Sequence, residues 1–410
     1  MSGRVKPDVG LTGTSPFMIN YRILIFLSIA VMASALGQGL VVPLLPIYAQ
    51  SLGAGGFTIG LIFGAFSVSR TALLPYFGNL SDRKGRKIFI TSGLFFYFMT
   101  SIAFTYSDSA TLLITTRFFQ GIAAAMILPV TQAYGGEIAP DGKEGYVMGI
   151  INFGFYLGLS LGPVFGGIIK DTYGMNASFV GMGIVCFSGF LLCQIFLPPQ
   201  RQEKLLTTRK APENLRILLK DVSIVALFIM RLAQIMCVGT LWTFVPVLAD
   251  RQFQMSSSSI GIVITLIVAL SAAIMPITSI LADRMEKRIL VILGSSIIVV
   301  AICVLVFADE LWAVYTAAIL AGIGGGISTP AQMGMAAVLG KQHHSLGSIM
   351  SLLTLGHSIG MFFGPVITGA AIDFLGIRAG FIVSGITLLV VVLIFFPMTS
   401  RYRDLQTYPN

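Results

Sequence analysis

Three arginines and a histidine lie inside long apolar runs of this chain. They are Arg70, Arg117, Arg231 and His357, and the middles of those runs hold no Asp or Glu. An arginine at the centre of a bilayer costs about 3 to more than 10 kcal/mol, so each of these side chains needs a partner or water and is a candidate functional residue. Arg231 falls with Gln234, Val238 and Trp242 at spacings of three, four and four, which is one helical face. A lipid-facing stripe would not carry Arg and Gln together, so this face is expected to look into a cavity. Arg117 shares a stripe with Gln120, Ala124 and Leu128. It either lines a polar patch facing the bundle interior or makes a structural hydrogen bond to carbonyls of the first span. Arg70, between Ser69 and Thr71 and nearer a span end, either snorkels or supports a gate. His357 is the embedded side chain whose ordinary titration lies near neutral pH. It is either a proton-coupling site or a neutral imidazole bonded between helices.

Neutral polar groups complete the list of candidates. Asn152 and Tyr156 lie four apart on one face, and Gln38 is the lone amide of the first apolar run. Together with Gln234 and Trp242 they could line a cavity as donors and acceptors. The 30 Phe, 18 Met and 12 Tyr suit a wall for lipophilic or amphipathic molecules, although most such residues pack helices or face lipid. Arginines unopposed by carboxylates would repel cations and favour an anionic group.

Other chemistries lack their residues. His343 and His344 are adjacent, in a loop expected to be solvated, and have no third ligand for a metal. Cys186, Cys193, Cys237 and Cys303 all fall in apolar runs without metal or disulfide spacing. The glycine cluster 322–326 sits within an apolar run with no Lys-Ser/Thr after it, so it is a close-packing element and not a phosphate loop. The expectation is a non-enzyme without cofactor or metal, driven by an ion or solute gradient and not by ATP.

The elements that must hold these residues follow from composition. Hydrophobic residues make up 55% of the 410 and charged ones 10%, and the mean hydropathy is +0.89, which places the chain in a bilayer. The net charge of +9 is then explained by loops facing anionic lipid, and a nucleic-acid partner is not expected. Twelve apolar runs can cross about 30 Å of hydrocarbon as helices; the second is placed at 57–79 and the fourth at 110–135. The predicted fold class is an all-α membrane protein of twelve transmembrane helices in two six-helix pseudo-symmetric bundles. Residues 1–197 form the first bundle, 198–221 a basic cytoplasmic linker and 222–410 the second bundle.

Charge orients the chain. Lys170, Arg251 and Arg378 fall on one side, Arg70, Arg117 and Arg231 within spans, and the rest of the 26 Lys and Arg on the other side, with both termini. The positive-inside rule makes that side cytoplasmic. An internal repeat relates the halves. Asp82, Gly121 and Pro129 recur as Asp283, Gly322 and Pro330 at an offset of 201 residues; Gly158, Gly162-Pro163, Asp171, Gly174 and Phe179 recur as Gly360, Gly364-Pro365, Asp373, Gly376 and Phe381 at 202. Two parallel six-span repeats imply a cavity between them near the midplane, opened alternately by rocking.

The second and third runs are joined by Gly78-x-Leu80-Ser81-Asp82-Arg83-x-Gly85-Arg86-Lys87, read as a charged hairpin with Gly85 in a tight turn. Arg117-x-x-Gln120-Gly121 follows in the fourth, and the fifth carries Gly154-x-x-x-Gly158-x-x-x-Gly162-Pro163-x-x-Gly166-Gly167. On these motifs the chain resembles the major facilitator superfamily of secondary transporters, over all twelve spans, and within it the twelve-span drug:proton antiporter branch. The resemblance implies a gate built from Asp82, Arg83, Arg86 and Glu137. Asp82 would meet the N-terminus of the eleventh span in the outward-facing state, and Arg86 would pair with Glu137. Gly158, Gly162 and Pro163 would form a hinge or tight interface. In the second half Glu286 replaces the turn glycine, which is expected to weaken the corresponding latch. The expected function is a proton-coupled exporter of lipophilic or amphipathic small molecules working by alternating access. The alternative is a transporter of an organic anion or anionic lipid using an Arg-lined cavity. Its expected partners are a small-molecule substrate, protons and the lipid bilayer of the cytoplasmic membrane, and it is expected to act as a monomer.

Overall fold

A computed structural model describes residues 20–140, 142–198, 218–400 and 402, without the side chain of Asp283. Most of the expected linker at 198–221 therefore lies outside the described residues. Among those described there are twelve helices long and apolar enough to cross a membrane, and no strands. Spans one to six are Tyr21–Ser51, Gly56–Lys84, Arg86–Thr105, Ala110–Ile138, Glu144–Tyr173 and Met175–Phe196. Spans seven to twelve are Val222–Phe253, Ser257–Ala282, Lys287–Val306, Leu311–Gln342, Leu346–Leu375 and Ile377–Met398. A helix is the natural answer to an apolar medium, because it satisfies its own backbone donors and acceptors. Span one is interrupted at residues 42–44, where Pro43 and Pro46 remove donors, and resumes at Leu45.

Helices run beyond the apolar stretches that predict them. Span two continues through Asn79–Lys84 and span four reaches Ile138, because a helix needs no hydrocarbon to persist and its polar end is solvated. The charged stretch 78–87 is thus not a hairpin loop. Its first part is helix, and the turn is Gly85 alone, at φ 92° and ψ 138°, between Lys84 and Arg86. An L side chain rarely adopts that conformation. The corresponding link in the second half spans Met285 and Glu286, both at negative φ. The loss of glycine there is accommodated by a longer, extended connection.

Within the first half, span one packs on spans five and six, span two on four, and span three on four and six; the second half repeats the scheme with span seven on eleven and twelve, eight on ten, and nine on ten and twelve. Small residues allow these approaches. A Cβ on Gly158 would lie 2.5 Å from the Met32 carbonyl and 2.9 Å from the Leu36 nitrogen of span one, and Gly162 is as tightly placed against Gly39. The two halves meet where span two crosses eleven and span five crosses eight.

Candidate functional site

A cavity of about 160 Å³ opens between the halves. Span seven supplies one wall with Arg231, Gln234, Val238 and Trp242, so the whole predicted stripe faces one space. Tyr156 and Leu159 come from span five, His357 from span eleven, and Ser271, Met275 and Thr329 from spans eight and ten. Most of the lining is apolar and belongs to the second half.

Arg231 is the sharpest feature of this wall. It is 6% exposed, and its Nη2 lies 3.3 Å from Nδ1 of His357. Its Nε and Nη1 have no partner. Since guanidinium nitrogens only donate, Nδ1 of His357 must accept, which requires the neutral ring with its proton on Nε2. Arg70 of span two is within electrostatic range of the same ring, and Tyr156 within range of Arg231. Deeper in span seven, Gln234 accepts from Ser328 at 3.1 Å and from Gln332, a network that joins spans seven and ten and fixes the Gln234 amide.

Other predicted residues lie elsewhere. Arg117 is 2% exposed inside the first half, donates to Gln120 Oε1 at 2.7 Å, and stacks over Phe66 at 4.5 Å and Phe63 at 5.2 Å. It does not line the cavity, and its partners are not carbonyls of span one. Asn152 accepts from Gln132 Nε2 at 3.0 Å, across spans four and five. Gln38 is half-buried and also stands apart from the cavity lining. His343 is not simply solvated: its Nε2 lies 2.8 Å from Asp221 Oδ2, and the other oxygen of Asp221 caps the Ser223 nitrogen at the start of span seven.

The charged turn after span two is organised by Arg86. Its Nη2 lies 2.8 Å from Asp82 and 2.5 Å from Glu137, and its Nε donates to the same Glu137 oxygen at 2.8 Å. The predicted Arg86 and Glu137 pair is therefore present, with Glu137 inside the helix of span four and not beyond its end. Asp82 is half exposed and pairs with Arg86. Arg83 is exposed beside it.

On the opposite side of the molecule the two halves are fastened together, twice. The Asp373 carboxylate, at the end of span eleven, accepts from the backbone nitrogens of Gly56 and Phe57 at 2.6 and 2.8 Å, the first turn of span two. The Asp171 carboxylate, at the end of span five, accepts from the nitrogens of Ser257 and Ser258 at 3.0 and 2.8 Å and from the Ser258 hydroxyl, the first turn of span eight. Each places a negative charge where exposed N–H groups and the helix dipole favour one. Behind each carboxylate the backbones touch: Gly60 lies against the Pro365 carbonyl, and Gly261 against that of Pro163. Every residue of one joint maps on the other at the repeat offsets of 201 and 202. The sequence shows Asp171 and Asp373 as repeats, but their acceptor role depends on helix ends distant in the chain, with no motif to mark them.

Comparison with known proteins agrees with this architecture. The sequence profile described as Major Facilitator Superfamily matches residues 27–252 and 227–407. An uncharacterized MFS-type transporter of Methanocaldococcus jannaschii is 30% identical over 377 residues, 91% of this chain and 97% of that protein. The quinolone resistance protein NorA of Staphylococcus aureus is 27% identical over 384 residues, 90% of this chain and 94% of that one. Among solved structures, a bacterial homolog of the human lysosomal transporter Spinster, in an inward-facing and occupied conformation, superposes with a TM-score of 0.79 at 14% identity, over 94% of this chain and 98% of that one. Twelve membrane-spanning helices in two matching halves, with the signature turn at Gly85 and a cavity between them, make this chain a member of the Major Facilitator Superfamily, a multi-pass membrane transporter and not an enzyme.

Proposed function

We propose that the protein is a secondary active exporter of lipophilic or amphipathic small molecules, working by alternating access and coupled to protons. The observation that carries this reading is the cavity between the halves. It has an apolar wall with a few polar groups, as adaptable small-molecule sites do, and lies behind the twin Asp171 and Asp373 joints. The likeness to the NorA quinolone resistance protein over most of both chains supports export of such compounds. By the positive-inside rule this reading puts both termini and the Gly85 turn on the cytoplasmic side, and it takes the protein to act as a monomer in the cytoplasmic membrane. The joints then close the outer side, and the conformation described is the one that loads from within.

His357 is the residue through which a proton would act. In the neutral state it holds Arg231; a proton on Nδ1 would set donor against donor and release the guanidinium into the cavity. The charged groups facing that ring are Arg231 of span seven and Arg70 of span two. Uptake of a lipophilic fluorescent dye into everted vesicles, whose outer face is the cytoplasmic one, tests the reading. It should start on acidification of the lumen, stop with an uncoupler, and show counterflow of labelled against unlabelled dye. Flux without counterflow would replace the transporter cycle with a pore.

A further inference from the structure

We propose that the cargo carries a single negative charge and that Arg231 receives it. The site would take an amphipathic monoanion, a carboxylate or phosphate head on an apolar body. This rests on the cavity being the transport site.

Arg231 lines the cavity while more than nine-tenths buried, with two guanidinium nitrogens unpartnered. Its one partner, His357, fixes the plane of the group without neutralising it. No Asp or Glu lies on the cavity lining, and the second cation, Arg70, adds positive potential from span two. The fold has another way to settle a buried arginine, used at Arg117: an amide oxygen and two aromatic faces. At Arg231 that arrangement is missing. The free N–H groups on Nε and Nη1 lie on different edges of the guanidinium, so a carboxylate or phosphate oxygen would take a charge-assisted hydrogen bond at either edge. Around them Leu159, Ile235, Val238, Trp242 and Met275 offer an apolar chamber for the rest of the molecule. A cationic amphiphile of the same shape would meet the Arg231 guanidinium, with the charge of Arg70 behind the lining, and no counter-charge.

Trp242 gives a direct readout, because it lines the cavity and Trp312 is the only other tryptophan. In purified full-length protein carrying Trp312→Phe, 11-bromoundecanoate should quench Trp242 at a concentration about 10- to 100-fold below 11-bromoundecyltrimethylammonium, the factor a hydrogen bond between charged partners provides. Arg231→Gln should abolish that preference, and Arg231→Lys should keep part of it. A brominated lysophosphatidate distinguishes the sources of the anion. Arg231-dependent quenching by that probe alone makes the cargo a lipid headgroup, while quenching by the carboxylate as well admits a free acid. Equal quenching by the anion and the cation in unsubstituted Arg231 protein overturns the proposal without any variant having to fold. So does anion preference that survives Arg231→Gln, or quenching by none of the three probes. Counterflow of a neutral dye in the same preparation would leave the transporter reading standing in each case.

Discussion

Removing the charge of Asp171 and Asp373 should open the side they fasten. Each carboxylate accepts two backbone N–H bonds from the first turn of a helix in the other half. Asparagine retains one acceptor oxygen and no charge, so Asp373→Asn loses one bond and the charge assistance of the other. A hydrogen bond to a charged group is worth about 1.5–3 kcal/mol. Because Asp373 is exposed to solvent, the lower end applies, at about 1–1.5 kcal/mol, or about tenfold in the ratio of open to closed. The two joints share no partners, so their effects should add, and the double variant should shift the ratio about a hundredfold. If the open state of the natural protein stands near 1%, it would rise to about half. Spin labels on cysteines at positions 106 and 307 would report this. Tyr106 and Phe307 are 77% and 78% exposed, stand at repeat-related positions at the ends of spans three and nine, and lie in different halves. Exposed Cys303 would first be replaced by Ser. The pulsed-EPR distance distribution should gain a longer component in Asp171→Asn/Asp373→Asn, and smaller ones in the single variants. A double variant with the distribution of the natural protein would refute the reasoning, since the bonds would then contribute nothing to closure.

Three further outcomes follow from other contacts. Glu137→Gln leaves Arg86, whose side chain is 9% exposed, with Asp82 as its charged partner and the Ser81 hydroxyl, and should lower stability by about 1–3 kcal/mol, read as a fall in apparent Tm in detergent. Gly60→Ala and Gly158→Ala both place a Cβ against backbone, but in different locations: across the halves at Pro365 for the first and within one half at Met32 for the second. Each should cost about 1–3 kcal/mol, the first as a shift toward the open distance at positions 106 and 307, the second as lost thermal stability with that distance unchanged. His357→Gln keeps an acceptor for Arg231 but cannot titrate, so transport should persist without the pH dependence of the natural protein. A profile matching the natural protein would remove His357 from coupling.

The fold was legible in the sequence because the bilayer leaves so few choices. Long apolar runs must be helices, basic loops mark one side, and the offset between Asp82 and Asp283 or Gly162 and Gly364 exposes the two halves. The stripe from Arg231 to Trp242 was legible for a related reason, since a polar face on a buried helix needs somewhere to look. Arg117 and Asn152 show the limit. Both carry the same polarity as a cavity residue, but Arg117 is met by Gln120 of its own helix and two aromatic rings of span two, and Asn152 by Gln132 one helix away, and no spacing in the chain reports a rotamer or a neighbouring helix. The joints at Asp171 and Asp373 were hidden similarly, because their partners are bare backbone nitrogens. The reach of the charged helix end to Lys84 was hidden for a different reason: hydropathy tracks lipid, while helical structure does not stop where lipid does.

The single-residue turn at Gly85 has a counterpart of two extended residues, Met285 and Glu286, in the other half. The faces of the molecule are therefore unequal: one is joined by a matched pair of carboxylate clasps, whereas the other carries two links that differ in length and conformation. Such a machine is a balance with a heavier pan. Left empty, it would rest with its mouth toward the basic loops, and the arriving load, not a spring in the protein, would have to tip it.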